Sequence, residues 1–231
     1  MYATTTPRAS TRVGVLWIAA LTVLTLGMNA APASAAELIP TGLRNNVGIT
    51  YDPLSNANFD NNGYSYSSLL LRLEGLVPGD PVTSQGMTFV WPNTASAAKD
   101  NIATSEKVMP IATAPGITKL GFLGASTNGP ITANVILNYS YTDAEGKPAT
   151  LSVPTPMTFS DWTLNAGSRQ PALGNVEVAS TPFRVVENLE FEQVDTYVFS
   201  LVLPVDGAKT LTSITLPKSE GRIHLFSIAA S

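Results

Sequence analysis

From Ile131 to Tyr141 the chain alternates. Ile131, Ala133, Val135, Leu137, Tyr139 and Tyr141 fall on one parity, and Thr132, Asn134, Asn138, Ser140 and Thr142 on the other. A period of two sends successive side chains to opposite faces of an extended strand, so this segment is a half-buried β-strand that needs a second layer over its apolar face. Asp143-Ala-Glu-Gly-Lys147 then reads as a hairpin loop and Ala149 to Val153 as the returning strand. Pro154 and Pro156 predict an edge or a bulge there, because proline has no N–H to give to a ladder, before Met157-Thr-Phe-Ser160 resumes.

Strand signals recur on both sides. Asn45 to Tyr51, closed by Pro53, reads as the first strand, and Met87 to Trp91, Lys107 to Ala112 and Ile117 to Gly124 follow it. Val176 to Ala179, Thr196 to Leu203, Thr210 to Leu216 and Arg222 to Ala229 complete the set. Leu69, Leu70, Leu71, Leu73 and Leu76 have helical spacing, with Ser67 as the cap ahead of them and Gly75 and Pro78 as the stop. Nine or more short strands and one short helix predict an all-β fold, a two-sheet antiparallel β-sandwich of the jelly-roll type. No repeat and no linker divides it.

The first residues predict a removable leader. Arg8 and Arg12 precede the apolar run Val13 to Met28, and Ala33-Ser34-Ala35 is a small-residue cleavage signal. The apolar run falls short of the roughly 20 residues a membrane helix needs. Residues 1–35 are therefore expected to be a signal peptide, and residues 36–231 a single secreted, extracellular domain without membrane contact. Once Arg8 and Arg12 leave, 11 of the 13 basic residues remain against 17 acidic ones, a net charge of −6. That balance argues against nucleic acid and anionic lipid as partners. With no cysteine in the chain, no disulfide forms.

Chemistry-bearing residues are sparse. Gly124-Ala-Ser-Thr-Asn-Gly129 has its second glycine one place too late for a nucleophile elbow. His224 is the lone histidine, and it sits in an alternating strand with Phe226 and Ile228, which reads as a structural position. A glycosidase would need two carboxyl groups roughly 5–10 Å apart, and sequence does not pair them. Asp60, Asn61 and Asn62 have the oxygens for a structural calcium ion, completed by distant residues, or for a plain Asx turn. Sugar recognition combines flat rings with carboxamide, carboxylate or guanidinium groups, since pyranose faces are apolar and their rims polar. The ring candidates are Tyr64, Tyr66, Trp91 and Trp162, and the polar ones Asn128, Asp161 and Arg184. The acidic run Glu187 to Asp195 reads as a solvated hairpin face.

Eight motifs in order carry a resemblance. They are Asn46-Val-Gly-Ile49, Asn58-Phe-Asp60 with Gly63 and Tyr66-Ser67, Phe89-Val-Trp-Pro92, and Gly121-Phe-Leu-Gly-Ala125 with Asn128-Gly129. Phe159-Ser-Asp-Trp-Thr163, Thr181-Pro-Phe-Arg184, Thr196-Tyr-Val-Phe199 and His224-Leu-Phe226 follow. Together they resemble β-sandwich modules appended to secreted actinobacterial glycoside hydrolases, often beside carbohydrate-binding modules of the galactose-binding-like type. The resemblance implies a non-catalytic accessory module that binds a polysaccharide or cell-wall glycan. A small secreted glycoside hydrolase-type enzyme and a structural or protein-interaction module stand as the alternatives.

Overall fold

A computed structural model of the chain describes residues 37–51, 57–111, 115–164, 170–186 and 190–231. The leader expected over residues 1–35 lies outside them, as do Pro53, Asn56, Ala112 and the stretch Glu187-Asn-Leu189. The chain runs through a 3-10 turn at Thr41–Leu43, β1 (Ile49–Thr50), β2 (Tyr66–Ser67), the helix α1 (Ser68–Leu73), β3 (Pro81–Ser84) and β4 (Met87–Val90). Next come β5 (Ile102–Ala103), β6 (Val108–Pro110), β7 (Lys119–Ser126), β8 (Ile131–Thr142) and β9 (Pro148–Phe159). The last elements are β10 (Val176–Thr181), β11 (Arg184–Val185), β12 (Phe191–Glu192), β13 (Thr196–Pro204), β14 (Thr210–Thr215) and β15 (Ile223–Ala230).

Two antiparallel sheets make the sandwich. One has the strand order β10-β13-β7-β15-β5 and the other β6-β14-β8-β9. Within these sheets the chain returns directly only from β8 to β9 and, by way of the β11–β12 hairpin, from β10 to β13; every other step crosses over. The odd residues of β8 point inward as the alternation predicts: Val135, Leu137 and Tyr139 are buried, while Thr132 and Asn134 are exposed.

The five-stranded sheet reads differently because both of its faces are covered. Residues Leu120 to Ser126 of β7 and Ile223 to Ala229 of β15 are buried without a break. The four-stranded sheet covers one face. The β3–β4 hairpin lies on the other, where a Cβ on Gly121 would stand 2.8 Å from the Phe89 ring. A shift of register leaves Phe226 as the extra residue between Leu225 and Ser227. The bulge turns Phe226 toward the outer layer, where it meets Trp91 at 4.9 Å and Tyr66 at 5.8 Å between ring centroids.

Proline sets the limits of the second sheet. β9 runs unbroken through Pro148, Pro154 and Pro156, which pair across to Thr142, Ile136 and Asn134. All three have the same parity, so their missing N–H groups lie on the side away from β8. The sequence allowed an edge or a bulge, and the edge is what forms. Helix α1 has the predicted signals: the Ser67 hydroxyl accepts the Leu70 N–H at 3.3 Å, and Gly75 takes φ +88° after the last turn.

The strand expected over Asn45 to Tyr51 shrinks to Ile49–Thr50, paired parallel with Tyr66–Ser67. Its amides go elsewhere. Gly48 N–H and Ile49 N–H donate to the Asp100 carboxylate at 3.0–3.1 Å. Asp100 is fully buried and also accepts from Asn101 Nδ2 at 2.7 Å, while Arg44 donates to the Asp100 carbonyl at 2.6 Å and ion-pairs with Glu37. Burial pushes the Asp100 carboxyl up to about 6 against those hydrogen bonds and the Arg44 charge.

Asn46 donates Nδ2 to the Asn58 carbonyl, so its Oδ1 accepts from Asn101 Nδ2 at 2.9 Å. Asn101 Oδ1 is left to accept from His224 Nδ1–H, also at 2.9 Å, which fixes the imidazole tautomer. His224 is wholly buried beside Phe59, 4.2 Å between ring centroids, and burial drives its pKa down to about 3 against the Gly221 carbonyl. The structural reading of this histidine holds.

Candidate functional site

The loop Ala57 to Tyr64 is held by its own side chains. Asp60 Oδ1 accepts the N–H of Asn62 at 2.9 Å and of Tyr64 at 3.2 Å, and Asn58 Oδ1 accepts the N–H of Gly63 at 3.0 Å. This is an Asx turn, with Asn61 at φ 62° and Gly63 at φ 86° in the left-handed region. Phe59, fully buried, nails its base into the aromatic core, so Asn62 projects into solvent and Tyr64 stays half-buried beside it. Among the described residues no group of three or more His, Asp or Glu side chains gathers as a metal cage.

A second loop, between β7 and β8, comes up beside the first. Asn128 takes φ 57° and is exposed, and its Oδ1 accepts from Asn62 Nδ2 at 3.3 Å. The next residue is clamped from below. Gly129 N–H donates to Asp161 Oδ2 at 2.6 Å, while Asp161 Oδ1 accepts from the Thr163 N–H at 2.8 Å and hydroxyl at 2.6 Å. Asp161 is buried, and its carboxylate ties the ends of two crossovers together.

The third contributor is β11. Ser65 and Val185 exchange backbone hydrogen bonds at 2.9 Å, which brings Arg184 over the Tyr64 ring, 3.5 Å from its centroid. Arg184 donates Nε to Glu192 Oε2 at 2.8 Å, so the guanidinium is held flat on the ring by its hairpin partner. Beside these loops lies a cleft of about 240 Å³ lined by Pro130, Ser160, Asp161, Leu164, Gln170, Pro171 and Ala172.

Four of the predicted residues, Asn62, Tyr64, Asn128 and Arg184, therefore meet at one end of the sandwich, with Asp161 directly beneath. Three do not. Trp162, Tyr66 and Trp91 are 2%, 0% and 1% exposed and form the aromatic core with Phe59 and Phe226. Trp162 sits 5.1 Å from Phe59 and 5.0 Å from Tyr66, and the Tyr66 hydroxyl donates to the Tyr197 carbonyl at 2.7 Å. A ring packed on both sides has no face for a sugar, so these three are corrected from binding residues to core.

Glu192 and the apolar cleft walls Leu164 and Pro171 were not read as site residues. The signal for Glu192 was its place across a short hairpin from Arg184, within an acidic run otherwise taken as solvated. The cleft walls come from a connection with no periodic pattern at all.

A family model for the AziU2-like beta-sandwich domain matches residues 43–231. The chain belongs to that family, and its fold is a β-sandwich. No curated protein matches it.

Proposed function

We propose that this chain is a secreted, non-catalytic module that binds a neutral glycan at the loop end formed by Asn62, Tyr64, Asn128 and Arg184. The observation that carries the reading is convergence. Residues from three separate segments come within contact distance, Asn62 on Asn128 at 3.3 Å and Arg184 on Tyr64 at 3.5 Å, and the Gly129 that follows Asn128 is bonded to Asp161, a residue of the neighbouring cleft. Carboxamides both donate and accept, and a guanidinium offers a fixed fork of donors, which is the chemistry that sugar hydroxyls need. The neighbouring cleft is smaller than the usual 300–1,000 Å³ of ligand pockets, which suits a single ring or a chain end more than a long inhibitor-like ligand.

The hydrolase alternative finds less support. Two facing carboxyl groups are required, and among the described residues Asp161 is the one carboxylate lining the cleft, with both oxygens already accepting hydrogen bonds. The reading needs no metal; a calcium ion at Asp60, Asn61 and Asn62 would serve the turn only.

A glycan array followed by calorimetry on the mature chain tests the proposal. Arg184→Ala is expected to weaken a soluble neutral oligosaccharide on the order of tenfold, about 1.4 kcal/mol. An array without any bound glycan, or an unchanged affinity in that variant, would sink it. Mass spectrometry of the exported protein, expected to begin at Ala36, tests the leader separately.

A further inference from the structure

The solvent face of the four-stranded sheet has an unusual chemistry. The even residues of β8 are Thr132, Asn134, Ile136, Asn138, Ser140 and Thr142, and their partners on β9 and β14 are threonine, serine or proline. The chain has 13 basic and 17 acidic residues, and none occupies an outward position on these four strands. Surfaces of soluble domains ordinarily carry interspersed charges, so a face this long without one calls for a reason.

The polar groups on it are also ordered among themselves. The Thr132 and Thr158 hydroxyls lie 2.8 Å apart. Asn138 sits at the middle, accepting from the Ser152 hydroxyl at 2.7 Å and donating Nδ2 to Ser213 at 3.1 Å. Hydroxyls and carboxamides can each donate and accept, and side chains already held by neighbours lose little freedom when a ligand arrives. Ile136, paired with Pro154, adds an apolar strip between the hydroxyl rows.

Charge and area decide what fits. Nucleic acid and anionic lipid both need cations that the face lacks. A second copy of the chain would meet a surface on the order of 500 Å² per partner, from strand lengths at about 3.3 Å per residue and 4.8 Å between strands. A stable protein interface buries about 800 Å² a side and is anchored by Trp, Tyr or Arg, none of which faces outward here. What remains complementary is a long, uncharged chain rich in hydroxyls, whose apolar C–H faces would lie on Ile136, Pro154 and the threonine methyls in place of aromatic rings. We infer that the outer face of β6-β14-β8-β9 is an extended docking surface for a neutral polysaccharide lying along β8 and β9. The inference extends the glycan reading to a polymer but uses a different surface, so the two can fail separately.

The test is the partition of the mature chain onto insoluble cellulose and chitin, washed at low salt and in 1 M NaCl. Binding is expected on at least one polymer and is expected to survive the salt, because no ion pair is involved. Asn134→Lys with Thr150→Lys places two cations at exposed positions, and Asn134→Lys with Ser152→Lys repeats the test at a second pair. Each is expected to lower partition on the order of tenfold with thermal unfolding unchanged. Arg184→Ala is expected to retain the polymer while binding the soluble oligosaccharide on the order of tenfold more weakly. Wild-type partition in both lysine variants overturns the inference, as does no binding to either polymer. Sedimentation showing a wild-type dimer that the lysine variants dissolve overturns it in favour of a second copy. If Arg184→Ala changes nothing but the lysine variants release the polymer, the loop-end site fails and the sheet face stands.

Discussion

Replacing His224 by asparagine should expose a proton balance hidden in the wild type. Asparagine keeps an N–H donor near the position of Nδ1, so Asn101 Oδ1 retains its partner. What the variant loses is the ring, and with it a group whose pKa falls from 6.5 to about 3 on folding. Because that pKa is lowered in the fold, the stability it contributes is complete above pH 6.5 and is lost as pH falls toward 3. Asp100 works the other way. Its pKa rises from 3.8 to about 6 on folding, so its contribution is complete below pH 3.8 and is lost as pH rises through 6. Each pH unit is about 1.4 kcal/mol for one proton, so between pH 4 and 6 the two slopes oppose each other. Urea unfolding of both proteins at pH 4, 5, 6 and 7 and constant ionic strength reads the difference directly. The destabilisation by His224→Asn should grow by about 3 kcal/mol from pH 4 to pH 6 and level off above 6.5. The lost ring contact with Phe59 adds an offset independent of pH. A difference between the two proteins that stays constant across this range would refute the reasoning.

Gly48→Ala would put a Cβ 2.6 Å from both Asn101 Nδ2 and the Phe59 ring. The expected cost is about 1–3 kcal/mol of overpacking, read as a lower urea midpoint; an unchanged midpoint would mean that the network yields freely. Trp162→Ala should cost about 3–5 kcal/mol as a core truncation, and a variant that folded as well as wild type would return Trp162 to the surface. Asp161→Ala removes the acceptor of Gly129 N–H and of two Thr163 donors and should cost about 1–3 kcal/mol by calorimetry. Chelation with EDTA should leave the melting temperature where it was, since Asp60 Oδ1 already accepts two backbone N–H groups; a fall would assign calcium to Asp60, Asn61 and Asn62.

The alternation of β8 and the signals around α1 were legible because each depends on neighbours in sequence: a period of two, a serine cap, a glycine stop. β9 was legible as two pieces, Ala149 to Val153 and Met157 onward, since a proline inside a ladder looks like a break until it is known that its nitrogen faces outward. β3, beginning at Pro81, was missed, and most of the strand read over Asn45 to Tyr51 was diverted by Asp100, a residue about fifty positions away. The aromatic residues were the hardest to place. Trp91, Trp162 and Tyr66 have the composition of a sugar platform and the surroundings of a core, and composition alone does not separate the two. Tyr64 and Arg184 were each singled out, but their stack depends on the bridge between Ser65 and Val185, which only the crossover topology creates.

The three same-parity prolines of β9 also decide how the chain can assemble. A twelve-residue strand with a full outer row of amides would be a template for any extended segment that drifted near it, including β9 of another molecule. Here the outward row lacks three of its donors, at residues 148, 154 and 156, so an incoming strand would meet gaps in place of bonds. Among the described residues β8 is the one strand paired with β9, and the short Asp143–Lys147 turn joins the two. Growth of the sheet by addition of foreign strands, the usual start of fibre formation in β proteins, is hindered on its longest edge by these three prolines.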